Sequence, residues 1–384
     1  MGLAWQPDLK RIPTLQMGIG SFGSCPLQGY IDLENQPGIR AHVTLGTNAA
    51  ELWLQFHHSC CDGIAGVAFL KELLETYGRA SSAVAPPASS NDFPEYCCAY
   101  SRLTSREKAR RFGLDLSRIW TFFFRRLVSL PTSVKESATP FNNPSYIEAR
   151  MPLTLSMRTR LKRIHELPTS VNDILLRDIF LAVKESTDHN SGLAKGDWIR
   201  IAVPTNLRTT GATVLGCRND VSVAFLDLPN GPSQSKAESL RSITDAMTLI
   251  KQRRMGHTML GALNCLRYAP GALARVIAMQ HHCATVIVSN LGKVMAPLTQ
   301  HGPIITDDIT VKQLGFLTPI REGTPISFGA LTYADELTVC MQYDERTIDR
   351  LHAHHVLSRV VGHLQNSLAT EPGQSAQPPA GRAA

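Results

Sequence analysis

The sequence predicts a mixed α/β (α+β) fold built in two halves. Segments with the two-residue alternation of half-buried strands are interspersed with segments whose apolar residues recur every three or four positions, as in amphipathic helices. Both kinds of segment occur before and after residues 129–144, which are rich in Pro, Ser, Thr and Asn and show no clear period. We therefore expect an N-terminal lobe at 1–128, a linker at 129–144 and a C-terminal lobe at 145–370.

Composition sets the broad class of the protein. The 384 residues are 43% hydrophobic, which is enough for two modest cores. The formal net charge of +7 suits acidic ligands, and no recognised nucleic-acid motif accompanies it. No run of 18 apolar residues predicts a membrane span, and the first residues lack the apolar core of a signal peptide. Among the nine cysteines, the adjacent pairs at 60–61 and 97–98 are poorly spaced for disulfides, so we expect a reducing, cytoplasmic location.

The first half contains a predicted hairpin followed by a helix. Apolar and polar side chains alternate over 39–44, a turn follows at 46–48, and an apolar strand covers 52–56. Helical periodicity then runs from Gly66 to about Tyr77, and Gly78 is the expected C-cap.

Residues 101–128 form a basic, aromatic helix candidate. One interpretation is peripheral contact with a membrane surface or a lipid substrate, because an amphipathic basic helix can lie in the interface. The other, which we favour, is a surface helix that packs its aromatic side chains inward.

The second half continues the mixture of strands and helices. Thr169 or Ser170 is expected to cap the helix that starts at Val171. Residues 371–384, rich in Pro, Gly, Gln and Ala, are expected to be disordered. Strands are predicted at 146–153, 199–203, 221–228, 284–289, 326–331 and 337–343, and helices at 156–165, 171–184, 237–255 and 347–368.

The most informative segment is residues 57–63, which read His-His-Ser-Cys-Cys-Asp-Gly between the predicted strand and helix. A rigid strand followed by a turn can present an imidazole to a cavity, and neutral imidazole accepts a proton near pH 7. Alternation along the strand directs His57 to the face opposite His58, so His58 is the candidate base and His57 is structural. Cys60 and Cys61 have no visible activating context and are not predicted as nucleophiles.

The string H-H-x-x-x-D-G resembles the signature of the chloramphenicol-acetyltransferase-like superfamily. That superfamily includes condensation domains of nonribosomal peptide synthetases, the wax-ester synthase/diacylglycerol acyltransferase group and alcohol acetyltransferases. Four further segments, in the same order and spacing, are similar to elements of these enzymes: Ser-Val-Asn-Asp-Ile-Leu-Leu at 170–176, Val-Pro-Thr-Asn-Leu-Arg at 203–208, Gly-Cys-Arg-Asn-Asp-Val-Ser at 216–222 and Val-Ser-Asn-Leu-Gly at 288–292.

The resemblance implies a two-lobed fold with mixed sheets and a tunnel between the lobes. It also implies an acyltransferase that moves an acyl group from acyl-coenzyme A or an acyl carrier protein to an alcohol or amine, without an acyl-enzyme and without a permanently bound cofactor. His58 would be the general base.

The resemblance further assigns supporting residues. Asp62 and Gly63 complete the motif, with Asp62 expected to pair with Arg40 and fix the loop. Ser289 and Asn290 are candidate oxyanion donors, as are the backbone N–H groups at 62–63. A further set is expected to cap or brace the second lobe: Asn172, Asp173 and Asn219.

No metal site is predicted. The histidines at 281–282 and at 352–355 match no recognised zinc spacing, so helix-surface or core positions are the better interpretation.

Two departures from the family pattern keep an alternative open. The histidines come early, which suggests that the usual first strand and helix are missing, and the D-F-G-W-G element of peptide-forming condensation domains has no match. The alternative is therefore a catalytically inactive or truncated relative that binds an acyl carrier protein or an acyl ligand. A membrane-surface lipid-binding protein using residues 101–128 is a third hypothesis.

Overall fold

A computed structural model of the chain forms two units. The first contains Met1–Tyr77, Thr139–Asn143 and Gly211–Asn219, and the second contains Gly78–Ala138, Pro144–Thr210 and Asp220–Ala384. The first unit thus includes a short piece from the second half of the sequence. The structure describes residues 12–27, 29–81, 125–128, 130, 144–161, 169–188, 196–208, 217–231, 235–253, 255–257, 268, 270–271, 283–296, 302–306, 309–321 and 323–369.

A three-stranded mixed sheet forms the first unit, with strands β1 (Leu15–Ile19), β2 (Ile39–Leu45) and β3 (Ala50–Phe56). β1 pairs parallel to β2, and β2 pairs antiparallel to β3 with Ile39 opposite Phe56. The predicted hairpin is confirmed. The short β1 was not predicted, although Leu15, Met17 and Ile19 alternate with Gln16 and Gly18; the pattern covers only five residues, and four of them are exposed in the structure.

Helix α1 (Gly63–Ser81) follows the hairpin directly. Phe69 of α1 packs edge-to-face on Phe56 of β3, with ring centroids 5.4 Å apart, which ties the helix to the end of the strand. The predicted C-cap at Gly78 is wrong, since the helix continues to Ser81. A glycine inside a helix costs only about 1 kcal/mol relative to alanine, and the helix-forming Arg79 and Ala80 follow.

The second unit is built on a six-stranded mixed sheet. Its strands are β4 (Ser145–Pro152), β5 (Trp198–Asn206), β6 (Val221–Pro229), β7 (Val286–Lys293), β10 (Ile326–Tyr333) and β11 (Glu336–Tyr343). Their order across the sheet is β4-β11-β10-β7-β5-β6. β7 runs parallel to both β5 and β10, and the other pairs are antiparallel, which confirms the mixed α/β class. A separate two-stranded ribbon comprises β8 (Ile305–Thr306) and β9 (Ile309–Thr310).

Among the described residues of the second unit, four helices accompany this sheet. Helix α3 (Val171–Asp188) lies against α4 (Lys236–Gln252) and α5 (Arg350–Ala369). The side chains between helices and strands form one continuous apolar core that includes Leu176, Ile243 and Val360. The predicted start of α3 at Val171 is confirmed. The helices are α2 (Leu155–Leu161), α3 (Val171–Asp188), α4 (Lys236–Gln252) and α5 (Arg350–Ala369).

Two local outcomes concern turns. The predicted hairpin at 326–343 is confirmed, and Ala334 and Asp335 adopt left-handed conformations (φ 45° and 62°), as a two-residue turn requires. The predicted end of a strand at Pro204 is wrong, since β5 continues to Asn206. Strand β7 pairs with β5 only at Ile201 and Ala202, so Pro204 lies where its missing N–H is tolerated.

Some predictions lie outside the described residues. These are the helix candidate over 101–124, most of the linker at 129–144, the histidine pair at 281–282 and the tail at 371–384. Across the part of the chain that the structure describes, no helix is long and apolar enough to cross a membrane.

Candidate active site

The shape of the site comes from a tight turn between β3 and α1. The backbone N–H of His57 donates to Gly38 O at 2.8 Å, which extends the hairpin by one bond. The N–H groups of Cys60 and Cys61 then both donate to His57 O, at 2.8 and 3.2 Å. These bonds close the turn, so His58 stands at its outer edge with an exposed side chain.

Asp62 fixes the start of α1. Its side chain is only 5% exposed, and its Oδ1 accepts the N–H of Ala65 at 3.0 Å, the bond of a helix N-cap. The bond is compatible with the expected loop-fixing role of Asp62, which stays a prediction. The Arg40 guanidinium donates to Tyr30 O at 3.0 Å and to the Gln36 side chain, and its pairing with Asp62 stays a prediction.

His57 and His58 differ in their surroundings. The Nδ1 of His57 accepts the N–H of Ser59 at 3.2 Å. Burial, together with the neighbouring His58, lowers the pKa of His57, so its ring is held neutral as an acceptor within the turn. These contacts lie within the turn, and the structural role of His57 stays a prediction.

Asn219 lies on His58. Its Nδ2 donates to the His58 carbonyl oxygen at 2.7 Å and lies 3.3 Å from His58 Nδ1. At 3.3 Å the second contact is long and leaves both neutral tautomers of the ring accessible. Within the described part of the chain, His58 Nε2 has no hydrogen-bond partner, so this nitrogen is available to a substrate.

The position of Asn219 differs from the prediction. The sequence led us to expect that it braces the second lobe, whereas the structure places residues 217–219 in the first unit. A backbone bond from Asp62 N to Arg218 O, at 3.3 Å, holds this segment against the motif turn. The similarity of residues 216–222 to a family element drew attention to Asn219, but nothing in that segment indicated its neighbour.

The remaining predicted site residues lie in the second unit. Asn290, on β7, donates from Nδ2 to Asn172 Oδ1 at 3.2 Å and accepts Gly292 N at 2.8 Å. The structure therefore brings Asn172 and Asn290 together, although they are 118 residues apart. Ser289 precedes Asn290 on the same strand, opposite Gly329, and is half-buried.

Asp173 caps helix α3. Its Oδ2 accepts the N–H of Ser170 at 2.9 Å, and Ser170 Oγ accepts the N–H of Asp173 at 3.2 Å. This reciprocal pair satisfies two backbone donors at the helix start, as in a capping box, and it identifies Ser170 as the N-cap. The carboxylate is buried, at 3% exposure, so its role here is structural.

Histidines of α5 do not gather into a metal site. His352 Nε2 lies 2.7 Å from Ser186 Oγ of α3, and His354 and His355 are exposed. Among the described residues, no group of three or more His, Cys, Asp or Glu side chains could hold a metal ion.

Comparison with known proteins gives a family-model match for part of the chain and a set of solved structures with a similar fold. The model of the WS/DGAT C-terminal domain family matches residues 218–367. Comparison with the curated proteins finds no match.

Three solved structures illustrate the fold similarity. The starter condensation domain of rhizomide synthetase RzmA has a TM-score of 0.57 at 13% identity, covering 96% of this chain and 82% of that one. The epimerization domain of tyrocidine synthetase B has a TM-score of 0.56 at 14% identity (88% and 73% covered). The first condensation domain of the CDA synthetase has a TM-score of 0.56 at 17% identity (88% and 69% covered).

Fold and family match together define the class: this chain has the condensation-domain fold. Its C-terminal part matches the wax-ester synthase/diacylglycerol acyltransferase family, which confirms the resemblance inferred from the sequence to the chloramphenicol-acetyltransferase-like superfamily.

Proposed function

We propose that this protein transfers an acyl group from a thioester donor to an alcohol or an amine, with His58 as the general base. The observation that carries the proposal is the exposed imidazole of His58 on a turn that is bonded on both sides, to Gly38 through His57 and to the 217–219 segment through Asn219. A base held by its backbone, with Nε2 available, meets the geometric requirement for proton abstraction.

The chemistry balances without an acyl-enzyme. The hydroxyl or amine gives its proton to the His58 ring as its oxygen or nitrogen bonds to the thioester carbonyl carbon. The tetrahedral oxyanion then collapses, the carbon–sulfur bond breaks, and the leaving thiolate takes the proton back from the ring. No redox step or metal is required.

Stabilisation of the oxyanion needs hydrogen-bond donors. Gly63 begins α1, and the N–H groups of the first helical turn lie at the positive end of the helix dipole. The neighbouring Asp62 N–H already donates to Arg218 O, so Gly63 is the better backbone candidate of the two. Ser289 and Asn290 remain candidates from the sequence, and the Asn290 amide is partly used by Asn172 and Gly292.

The donor thiol is coenzyme A or the phosphopantetheine of a carrier protein. The net charge of +7 suits either, since both carry phosphate and many carrier proteins are acidic. The fold neighbours include domains of peptide synthetases, which supports a carrier-bound donor, and the WS/DGAT match supports coenzyme A.

The test is direct detection of the acylated product. Purified protein is incubated with a panel of acyl-coenzyme A donors, acyl carrier proteins and simple alcohols or amines, and products are identified by mass spectrometry. Mass detection is preferable to a thiol reagent because Cys217 is exposed and would react with that reagent.

We expect acceptor-dependent product with at least one pair. Saturable binding of acyl carrier protein or acyl ligand without product from any pair would contradict the proposal and support the non-catalytic alternative.

A further inference from the structure

Three cysteines meet at the motif turn, and the proposed chemistry uses none of them. Cys60 and Cys61 lie within the turn, and Cys217 comes from the distant segment that also carries Asn219. The backbone bond from Asp62 N to Arg218 O joins the residues directly after Cys61 and Cys217. This bond therefore holds the two chain segments side by side, one residue after each thiol. Cys61 and Cys217 are 156 positions apart in the sequence.

The Cys61 and Cys217 thiols interact with each other. A hydrogen bond from the Cys61 thiol lowers the pKa of Cys217, which favours the Cys217 thiolate. Cys217 is exposed, whereas Cys61 is 4% exposed. An accessible thiol of lowered pKa beside a buried thiol is the arrangement of a reactive cysteine with a resolving partner.

Cys60 is placed differently. Its sulfur packs against Gly38, where an added Cβ would lie 2.6 Å from it. Burial raises the pKa of Cys60, and the neighbouring Cys217 raises it further, which disfavours its thiolate. Cys60 is thus the internal comparison for any reaction of the cluster.

We infer that Cys61 and Cys217 form a reversible disulfide when the protein meets a peroxide. Cys217 releases its proton, and the thiolate attacks one peroxide oxygen; the O–O bond breaks, and the leaving hydroxide takes up that proton, so that Cys217 sulfenic acid and one water result. The Cys61 thiol then attacks the Cys217 sulfur, the S–O bond breaks, and a disulfide and a second water result. Two thiols are oxidised and one peroxide is reduced.

The disulfide would add a covalent link between the two segments that carry His58 and Asn219. It would join the 57–63 turn to the 217–219 segment next to the bond that Asn219 makes with the His58 carbonyl. The inference rests on the thiol arrangement and not on acyl transfer, so it stands or falls independently of the proposed function.

The experiment is peptide mapping after mild oxidation. Fully reduced protein is treated with hydrogen peroxide, remaining thiols are alkylated, and the protein is digested with trypsin. Residues 41–71 contain Cys60 and Cys61, and residues 209–218 contain only Cys217, so the expected product is these two peptides linked, about 2 Da lighter than their sum. Dithiothreitol should separate them.

Three variants assign the bond. Cys61→Ser and Cys217→Ser should each abolish the linked peptide, and Cys60→Ser should keep it. Circular dichroism of each reduced variant checks that it is folded. Loss of the linked peptide in Cys60→Ser, a bond within the 60–61 pair, a link between two protein molecules, or oxidation of Cys217 that never yields the link would overturn the inference.

Discussion

At the scale of residues, the bond between Asn219 and His58 adds most to what the motif alone indicates. The string at 57–63 predicted His58 as the base and Asp62 as a loop-fixing carboxylate through its resemblance to a known motif. The base role stays a prediction, and the structure shows Asp62 at the start of α1. The string contained nothing about Asn219, which arrives from 161 positions away. Asn219 contacts His58, so within the proposed function it is a candidate positioning residue.

Asn219→Ala should lower kcat about tenfold and change KM little, since a lost hydrogen bond of about 1.4 kcal/mol corresponds to a factor of ten. The measurement is steady-state product formation under the conditions that reveal activity. Asn35→Ala is the matched control, because the Asn35 amide donates to Asp32 in the same unit and not to His58. Equal kcat in the Asn219 variant and the wild type would remove Asn219 from the account.

At the scale of elements, a buried charge cluster joins β5, β6 and residues 125–128. Arg200 is 1% exposed and bonds Asp227 through two nitrogens, at 2.6 and 2.9 Å. Arg125 donates to the same carboxylate at 2.7 Å and stacks on Trp198 at 3.8 Å. The C-terminal end of the basic segment at 101–128 is therefore engaged with the second unit through Arg125, and the predicted helix with inward-packed aromatic side chains lies outside the described residues.

Asp227→Asn should reduce the free energy of unfolding by about 3–5 kcal/mol, because it leaves the buried Arg200 without its compensating charge. Urea titration measures the change. Asp245→Asn, on the exposed face of α4, should stay within about 0.5 kcal/mol of the wild type. A similar small effect for Asp227→Asn would show that the cluster does not stabilise the sheet.

The contact between α3 and α5 should depend on pH through His352. Burial lowers the pKa of His352 in the folded protein, and Asp349 only partly opposes this. The unfolded chain then binds the proton at a higher pH than the folded one, so this stabilisation is present above about pH 6.5 and is lost as pH falls.

His352→Gln should make the free energy of unfolding fall less steeply between about pH 7 and pH 5, as followed by urea titration at each pH. His354→Gln, at an exposed position on the same helix, should keep the wild-type slope. An unchanged slope in His352→Gln would mean that the group does not titrate differently on folding.

At the scale of the whole molecule, the periodicity of the sequence predicted the strands and helices better than it predicted which strands pair with each other. The hairpins at 39–56 and 326–343 follow from alternation and turn residues, which are local. The parallel pairing of β7 with β5 and β10 depends on long connections and has no local signal. The assignment of residues 211–219 to the first unit likewise depends on contacts between distant parts of the chain, so no local pattern predicted it.

The candidate site was predictable to a similar extent. The resemblance predicted roles for His58, Asp62 and Asn172 from their type and position in the chain, and these roles stay predictions. The Asn172–Asn290 contact and the Cys61–Cys217 contact required the folded chain, because each joins segments more than 100 residues apart.

The most direct test of the central claim is the rate of acylated product formation by His58→Ala compared with the wild type and His354→Ala. General-base catalysis contributes about 10²–10⁴-fold, so His58→Ala should lose at least about a hundredfold in rate while remaining folded. His354→Ala should match the wild type, since its exposed histidine lies in the other unit. Equal rates in His58→Ala and the wild type would contradict the assignment of His58 as the base.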